Sequence, residues 1–434
     1  MMTYNEAIDY LYHATPVFQH SGGSAYKPGL ETVLKLSEAF GSPHKVLKTI
    51  HVAGTNGKGS TCHLLAASLQ QSGYKVGLFT SPHLVDFRER IRINGNKIDE
   101  QYVVDFTEKA KSLIGEFHPS FFELTTVMAF RYFADSNVDV AVIEVGMGGR
   151  LDSTNIISPD LSIITGISLD HTQFLGHTTK EIAFEKGGII KPQTPVIVAE
   201  ADEDTKAVFD KLSSDRNAPI YYAEKTGELE SYELLPDESY IRYNTIHWGT
   251  VDSQLVGDCQ PINARSALFA LHLLKDKLGY HITEEGVKEG FKHVVQSTGL
   301  MGRWQVLAKK PLMICDTGHN AGGIAQIVSR LSKLTKDNLH IVFGMAGDKD
   351  VTAVVNLLPK DAHYYWCQAS VDRAMPVEEL QKIAHSCHLS GLSFHSVKEA
   401  LDEARANATD QDIIFIGGSN FVIADLLNSL NLCK

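Results

Sequence analysis

Two features that would direct a chain to a membrane or to export are missing from this sequence. No apolar run approaches the about 20 residues that a helix needs to cross a bilayer. The first residues, MMTYNEAIDYLYHATP, lack the basic segment followed by an apolar block that is typical of a secretory signal. We therefore expect a cytoplasmic protein that does not interact with a membrane.

Paired cysteines and an excess of basic residues are missing as well. The six cysteines have no spacing of the zinc-binding or redox type, so we expect reduced thiols. The 40 lysines and arginines are outnumbered by 52 aspartates and glutamates, and the formal net charge is -12. Because a nucleic-acid-binding protein needs a basic face, nucleic acid is not an expected partner.

The sequence does contain enough apolar material for two packed domains. It has 434 residues, of which 43% are apolar and 21% are charged, a balance typical of globular domains. Its first part alternates short apolar runs with amphipathic stretches, which is typical of a parallel sheet covered by helices. The runs are LKTIHVAG, KVGLFTSP, VDVAVIEVGMGG, LSIITGIS and TPVIVAE.

A second alternation of the same kind begins near residue 312. PLMICDTGHN, LHIVFGMAGD, AHYYWCQAS and DIIFIGGSNF predict a second, smaller sheet. The intervening stretch VVQSTGLMGRWQV contains glycines and hydroxyl side chains that suit a linker. We therefore predict an α/β protein with two domains, at residues 1–298 and 299–434.

The segment HVAGTNGKGS, residues 51–60, follows a predicted strand and opens a predicted helix. Cys62, Leu65 and Leu69 recur at helical spacing and predict one apolar face for this helix. Gly73 is placed to end the helix, because glycine readily takes the left-handed conformation that follows a last turn. The segment is therefore a strand, a glycine-rich loop and a helix in succession.

This arrangement predicts a phosphate-binding loop. Its glycines let the backbone come close to a polyphosphate, Lys58 adds a cation, and Ser60 can place its hydroxyl on a magnesium ion. The spacing differs from the usual loop, because Gly54 stands close to Gly57 and Gly59 separates Lys58 from Ser60. An ordinary glycine-rich turn is the alternative.

Polar residues follow three other predicted strands of the first sheet. Glu144 ends VAVIE, Asp170 and His171 follow LSIITGIS, and Ser81 follows KVGLFT. The carboxyl ends of parallel strands meet at the edge where ligands bind, and hard oxygen ligands with one imidazole suit magnesium. Each residue alone has an ordinary alternative, such as a capping glutamate or a local Asp-His hydrogen bond. The convergence of four strand ends supports the prediction of a nucleotide site.

Seven stretches, in this order, are similar to those of the Mur ligase superfamily and, within it, of folylpolyglutamate synthase and bifunctional dihydrofolate synthase. They are GTNGKGS, SPHL, ERIRING, EVGMGGRLDSTN, LDHTQFLG, EKGGIIK and DTGHN. The resemblance implies a P-loop parallel-sheet ATP-binding domain of the Mur ligase central type, followed by a smaller Rossmann-like domain of the Mur ligase C-terminal type. It also implies an acid–amino acid ligase that uses ATP and Mg²⁺.

In this family ATP phosphorylates a carboxylate, and the amine of L-glutamate then attacks the acyl phosphate. The implied acid is dihydropteroate, a reduced folate, or both. The residues implied to bind ATP are Gly54, Thr55, Asn56, Gly57, Lys58, Gly59, Ser60, Asn263, Arg303 and Asp316. The residues implied to ligate the metal are Ser60, Ser81, Glu144 and His171. The residues implied to act in catalysis are Lys58, His171 and Lys186.

The resemblance also implies three substrate-binding residues. Phe122 and Asp152 match positions beside the pterin, and His319 matches a residue that faces the active site from the C-terminal domain. A core phenylalanine and a loop aspartate are the alternatives for the first two. Lys186 matches a lysine that this superfamily often carries as a carbamate, with an unmodified lysine as the alternative. Relatives further imply a monomer.

Two other functions stay open from the sequence. A Mur-type ligase acting on a cell-wall precursor is disfavoured by the SPHL and ERIRING stretches and by the lack of an additional uridine-nucleotide-binding domain. A P-loop NTPase would release phosphate without any carboxylate substrate, whereas the ligase needs both the acid and glutamate.

Overall fold

The computed structural model describes residues 2–15, 29–235, 239–334, 336–347 and 350–432. The chain divides into two compact units: the first extends to Leu300, and the main part of the second starts at Met301. The short segment Leu84–Asp86 belongs to the second unit although it lies within the sequence of the first. The domain bounds 1–298 and 299–434 stay a prediction, and the sequence pattern did not single out the Leu84–Asp86 segment.

An eight-stranded sheet, counted over the described residues, forms the centre of the first unit. Its strands are β1 (Thr49–Ala53), β2 (Val76–Phe79), β3 (Ile91–Ile93), β4 (Asn96–Lys97), β5 (Val140–Glu144), β6 (Leu161–Ile164), β7 (Val196–Val198) and β8 (Ile220–Tyr222). Their order is β4-β3-β2-β5-β1-β6-β7-β8. All neighbours pair parallel except β3, which is antiparallel to β2 and β4. The predicted parallel sheet is confirmed.

Helices surround this sheet. Within the described ranges they are α1 (Tyr4–Ala14), α2 (Glu31–Ala39), α3 (Lys58–Gln71), α4 (Glu100–Phe117), α5 (Phe121–Asp135), α6 (Thr172–Leu175), α7 (Thr179–Lys186), α8 (Glu203–Arg216), α9 (Gln260–Lys277), α10 (Glu284–Lys292) and α11 (Val294–Thr298). A separate antiparallel sheet consists of β9 (Leu229–Leu234), β10 (Ile241–Thr245) and β11 (Gly249–Ser253). The sequence analysis did not predict this small sheet.

The helix that follows the glycine-rich loop, α3, is buried on all sides. Every residue from Ser60 to Leu69 is buried, because the helix packs against β1, β2 and β5 and also against α9, α10 and α11. At Gly290 in α10 a Cβ would stand 2.5 Å from the Cα of Ser68, so the two helices are in close contact there. The prediction of a single apolar face was therefore wrong, whereas α3 does end before Gly73, whose φ is +93°.

The second unit has a smaller, mainly parallel sheet, as predicted. In the described part of this unit the strands are β12 (Gln305–Lys309), β13 (Leu312–Cys315), β14 (Leu339–Phe343), β15 (His363–Cys367), β16 (Gly391–Phe394) and β17 (Ile413–Gly417). They are arranged β12-β13-β17-β14-β15-β16, and β12 is antiparallel to β13. The accompanying helices are α12 (Ala321–Lys333), α13 (Val351–Val355), α14 (Val377–Ser386), α15 (Val397–Asn407) and α16 (Asn420–Ser429). No helix in the described ranges is long and apolar enough to span a bilayer.

Candidate active site

The glycine-rich loop between β1 and α3 has a backbone that only glycine readily adopts at two positions. Gly54 has a φ of +147° and Gly57 a φ of +91°, values that are unfavourable for residues with a side chain. A Cβ on Gly54 would lie 1.8 Å from Oγ1 of Thr165, and one on Gly57 would lie 2.2 Å from Oδ1 of Asn263. Both glycines are therefore required by conformation and by close packing.

Residues that follow β6 hold this loop in place. The backbone N–H of Thr55 donates to the carbonyl of Gly166 at 2.8 Å. The Thr55 hydroxyl donates to the carbonyl of Ser168 at 3.0 Å, and the Thr165 hydroxyl donates to the carbonyl of Asn56 at 2.7 Å. The loop thus leads with a defined shape into the N-terminus of α3, where unpaired N–H groups and the helix dipole favour a phosphate.

Two lysine side chains meet at one carbonyl of the loop. Nζ of Lys58 donates to the carbonyls of Gly54 and Thr55, each at 3.1 Å. Nζ of Lys186, at the end of α7, donates to the same Gly54 carbonyl at 2.7 Å. Lys186 is only 4% exposed, and its burial, assisted by the charge of Lys58, lowers its pKa from 10.5 to about 7. Burial therefore favours the neutral amine form of Lys186.

Four neighbouring parallel strands carry the predicted site residues at their carboxyl ends. Ser81 follows β2, Glu144 ends β5, the loop follows β1, and His171 follows β6, and these strands are adjacent in the order β2-β5-β1-β6. The backbone N–H of Ser81 donates to Oε2 of Glu144 at 2.9 Å, and Glu144 is only 4% exposed. The fold thus brings the predicted residues to one sheet edge.

Two other predicted residues, Ser60 and Asn263, are connected through the side chain of Gln260. Ser60 is buried, and its Oγ accepts from Nε2 of Gln260 at 3.4 Å. The Oε1 atom of Gln260 accepts from Nδ2 of Asn263 at 3.1 Å, while Oδ1 of Asn263 lies against Gly57. Asn263, which the resemblance implied to bind ATP, therefore packs against the glycine-rich loop.

His171 is held by the residue before it. Its backbone N–H donates to Oδ1 of Asp170 at 2.9 Å, and its Nε2 lies 3.9 Å from Oδ2 of the same carboxylate. The backbone of His171 is left-handed, with a φ of +49°, and the residue directly precedes the short helix α6. The local Asp-His contact that was the alternative from the sequence is present in the structure.

Phe122 and Asp152 both contact the glycine-rich segment that follows Glu144. A Cβ on Gly146 would lie 2.5 Å from Cζ of Phe122, so the aromatic ring rests on this backbone. Oδ2 of Asp152 accepts from the backbone N–H of Met147 at 2.9 Å. Burial raises the pKa of Asp152, and hydrogen bonds from the Thr154 hydroxyl and from backbone N–H groups oppose that rise. The two predicted substrate residues thus flank one backbone segment.

The second unit contains the three remaining predicted residues. The Asp316 carboxylate accepts from the backbone N–H groups of Trp304 and Gly318, each at 2.7 Å. Burial raises the pKa of Asp316, and the positive charge of Arg303 opposes this shift. Nδ1 of His319 lies 3.0 Å from the carbonyl of Thr317. Asp316 therefore shapes the backbone on either side of it and lies in the electrostatic field of Arg303.

Arg90 was missed as a candidate, although it lies in the quoted ERIRING stretch. It is buried, and its carbonyl accepts from the backbone N–H of Thr80 at 3.0 Å. Its Nε donates to Nδ1 of His83 at 2.7 Å, and burial lowers its pKa to about 10. Arg90 thus contacts the residues on either side of the Ser81–Pro82 pair. The side chain of Arg90 is therefore part of the buried structure next to Ser81.

Two family models cover these segments. The Mur ligase middle domain matches residues 52–271, and the Mur ligase glutamate ligase domain matches residues 302–420. A dihydrofolate synthase/folylpolyglutamate synthase of Escherichia coli K12 is 31% identical over 407 residues, which cover 93% of this chain and 91% of that protein. The chain belongs to the folylpolyglutamate synthase/dihydrofolate synthase family. The resemblance drawn from the sequence motifs is confirmed.

Solved structures of this family share the fold of the chain. E. coli FolC in complex with DHPP and ADP has a TM-score of 0.85 at 30% identity, covering 99% of this chain and 98% of that one. A bifunctional folylpolyglutamate synthase/dihydrofolate synthase with Mn, AMPPNP and L-glutamate bound has a TM-score of 0.83 at 28% identity, with 99% and 98% covered. The predicted two-domain Mur ligase architecture is therefore confirmed.

Some members of the family are longer than this chain. A probable bifunctional folylpolyglutamate synthase/dihydropteroate synthase of Haloferax volcanii is 32% identical over 98% of the chain, which covers 50% of that protein. The chain likewise covers 49% of a similarly named protein of Halobacterium salinarum. It thus spans about half the length of these two relatives.

Proposed function

We propose that the protein uses ATP to join L-glutamate to dihydropteroate, to reduced folate (poly)glutamates, or to both. The observation that carries this proposal is the glycine-rich loop, where Lys58 and Lys186 both donate a hydrogen bond to the carbonyl of Gly54. This loop lies at the edge of the sheet where four parallel strands end. Family relatives with nearly full coverage are named for these two reactions. Relatives solved with ADP and DHPP, or with AMPPNP and L-glutamate, support the same set of substrates.

The proposed reaction has two steps. A carboxylate oxygen of the folate acid attacks the γ-phosphorus of ATP, so ADP leaves and an acyl phosphate forms. The amine of glutamate then attacks the acyl carbon, phosphate leaves, and the amine gives up a proton as the amide forms. Phosphoryl transfer depends mainly on alignment and charge neutralisation, so Lys58 and the N–H groups at the start of α3 stabilise the phosphates.

The oxygen-rich donor set fits a divalent ion. Glu144 is a buried carboxylate beside Ser81, and Ser60 contributes a buried hydroxyl at the start of α3. In the part of the chain that the structure describes, no group of three or more His, Cys, Asp or Glu side chains is arranged to hold a metal. Mg²⁺ usually combines a few protein oxygens with substrate phosphates, so Ser60, Ser81, Glu144 and His171 would hold it together with ATP. The ion would neutralise charge on the transferred phosphoryl group.

We also propose that Lys186 is carbamylated. Only a neutral amine attacks carbon dioxide, and burial keeps the pKa of Lys186 at about 7. Its Nζ lies 2.7 Å from the carbonyl of Gly54, so the modified side chain would place a negative charge beside the phosphate loop. A negative carbamate would be attracted to Lys58 and to a bound metal ion, whereas a second ammonium group would be repelled by them.

Carbamylation predicts a signal that depends on Lys186 and on pH. With ¹³C-labelled bicarbonate, the wild-type protein should show a carbamate resonance in ¹³C NMR. The resonance should weaken below pH 7, because a base with its pKa at about 7 becomes an unreactive ammonium there. Lys186→Arg should remove it. Lys191, whose pKa is lowered to about 8 mainly by burial, provides the control, and Lys191→Arg should keep it. A resonance that survives Lys186→Arg would disprove the assignment.

The remaining site assignments are proposals of the same kind. Gly54, Thr55, Asn56, Gly57, Gly59, Asn263, Arg303 and Asp316 are proposed to contact ATP, and Phe122, Asp152 and His319 to contact the other substrates. The monomeric state and the cytoplasmic location stay predictions from the sequence.

The ligase assignment predicts that ADP is released only when both an acceptor acid and L-glutamate are present. A coupled ADP-release assay should compare dihydropteroate, tetrahydrofolate and a cell-wall precursor, each with and without glutamate. We expect glutamate-dependent release with one or both folate acids and none with the cell-wall precursor. ADP release that is indifferent to every acid would instead support a P-loop NTPase.

A further inference from the structure

A buried chain of polar side chains connects β1 to Asp152. His51 in β1 and Thr154 are both fully buried, and Nε2 of His51 lies 2.8 Å from Oγ1 of Thr154. The Thr154 hydroxyl and backbone N–H both donate to Oδ1 of Asp152. These three residues come from two segments about a hundred positions apart and meet only in the folded protein.

The direction of these hydrogen bonds follows from the number of protons. A hydroxyl has one proton, and the Thr154 hydroxyl gives it to Asp152, so Thr154 accepts from His51. Nε2 of His51 must then carry the hydrogen, which leaves Nδ1 unprotonated. Burial lowers the pKa of His51 to about 3, so the ring is neutral and has a single N–H. The order of donation is therefore from His51 to Thr154 to Asp152.

One atom of this arrangement lowers the stability of the folded protein. Nδ1 of His51 is buried and, among the described residues, has no hydrogen-bond partner. Leaving a buried polar atom unpaired costs free energy, and an apolar pair of similar size at these positions would avoid that cost. Packing alone therefore does not favour a histidine and a threonine at these positions.

The carboxylate at the end of this chain fixes a backbone segment of the candidate site. Oδ2 of Asp152 accepts from the backbone N–H of Met147, and the N–H of Gly146 also donates to this carboxylate. With the two bonds from Thr154, the approximately four acceptor positions of the carboxylate are filled. Gly146 in turn supports the ring of Phe122. The orientation of Asp152 therefore fixes the backbone after Glu144 and, through Gly146, the position of the Phe122 ring.

We propose that Thr154, oriented by His51, is a positioning residue that holds the Asp152 carboxylate and thereby shapes the pocket for the acceptor acid. This inference rests on the proposed function, because it assigns the pocket to the pterin end of the acid. The phosphate loop is anchored separately through Thr55 and Thr165. Loss of the Thr154 hydroxyl should therefore affect the acid and leave the nucleotide site unchanged.

Thr154→Val and Thr154→Ser separate the hydroxyl from the shape of the side chain. Valine keeps the shape and removes both hydrogen bonds of the hydroxyl, whereas serine keeps the hydroxyl. We expect Thr154→Val to raise KM for the folate acid about tenfold, the effect of losing the one buried hydrogen bond that the hydroxyl donates to Asp152. The KM for ATP and the Kd for ADP from titration calorimetry should stay within about twofold of wild type. Thr154→Ser should behave nearly as wild type does.

A second pair keeps the test informative if Thr154→Val does not fold. His51→Gln retains an N–H at the position of Nε2 and should keep a low KM for the acid, whereas His51→Leu should raise it. Equal acid KM values for the valine and serine variants, in a wild-type protein that is active on folate acids, would overturn the positioning role alone. An equal loss of ADP affinity would overturn it as well. A wild-type protein inactive on every folate acid would overturn the proposed function too.

Discussion

Replacing Lys58 by methionine should lower kcat by at least about 10³-fold, because removal of one group that stabilises transition-state charge has effects of this size. In the structure the Lys58 ammonium is held at the carbonyls of Gly54 and Thr55, where it faces the phosphates that the loop is proposed to bind. Methionine has nearly the same length and removes only the charge and its hydrogen bonds. Glutamate-dependent ADP release measures the effect directly.

Lys58→Met should also raise the pKa of Lys186. The charge of Lys58 is one of the causes that lower the pKa of Lys186, so removing it should raise that pKa and reduce the neutral fraction at pH 7. The carbamate resonance should therefore weaken in Lys58→Met. Lys48→Met, at an exposed lysine just before β1, is the matched control and should change neither quantity. A Lys58→Met protein with nearly wild-type turnover would show that the loop was misinterpreted.

Gly54→Ala should abolish ATP binding and destabilise the protein by about 3 kcal/mol, the combined scale of overpacking and backbone strain. The new methyl group would stand 1.8 Å from Oγ1 and 2.9 Å from Cβ of Thr165, at a φ of +147°. Thr165 has little freedom to move, because its hydroxyl is within hydrogen-bonding distance of the carbonyls of Ala53 and Asn56. Calorimetric titration with ADP and chemical denaturation measure the two effects.

Gly73→Ala is the matched control for this substitution. Gly73 also has a positive φ, +93°, but no atom lies within 4 Å of the position that its Cβ would take. We expect a loss of about 1 kcal/mol from backbone strain alone and unchanged ADP binding. If Gly54→Ala were no more harmful than Gly73→Ala, close contact with Thr165 would not be the reason for glycine in the loop.

The local features of the site were determined by the sequence. The spacing of Gly54, Gly57 and Lys58 after an apolar run indicated a strand, a loop and a helix, and the structure has all three. The central strands of both sheets were identified correctly, because fully buried parallel strands are uninterrupted apolar stretches. The strands β3, β4, β8, β12 and β16, at the edges of the two sheets, were not among the predicted runs. The strands β9, β10 and β11 were missed, since strands of a partly exposed antiparallel sheet have no such run.

Only the tertiary structure decided which of these local features meet. The strand order places the ends of β2, β5, β1 and β6 side by side, and pairing of strands distant in sequence cannot be inferred from any one of them. Burial lowers the pKa of Lys186 to about 7. Strands and helices of the first unit pack around α3, so that this helix is buried on all sides. The contacts of Thr165 with Gly54, and of His51 with Thr154, likewise join residues about a hundred positions apart. Short motifs determine local conformation and chemical type, whereas desolvation, register and hydrogen-bond partners depend on the packing of the whole unit.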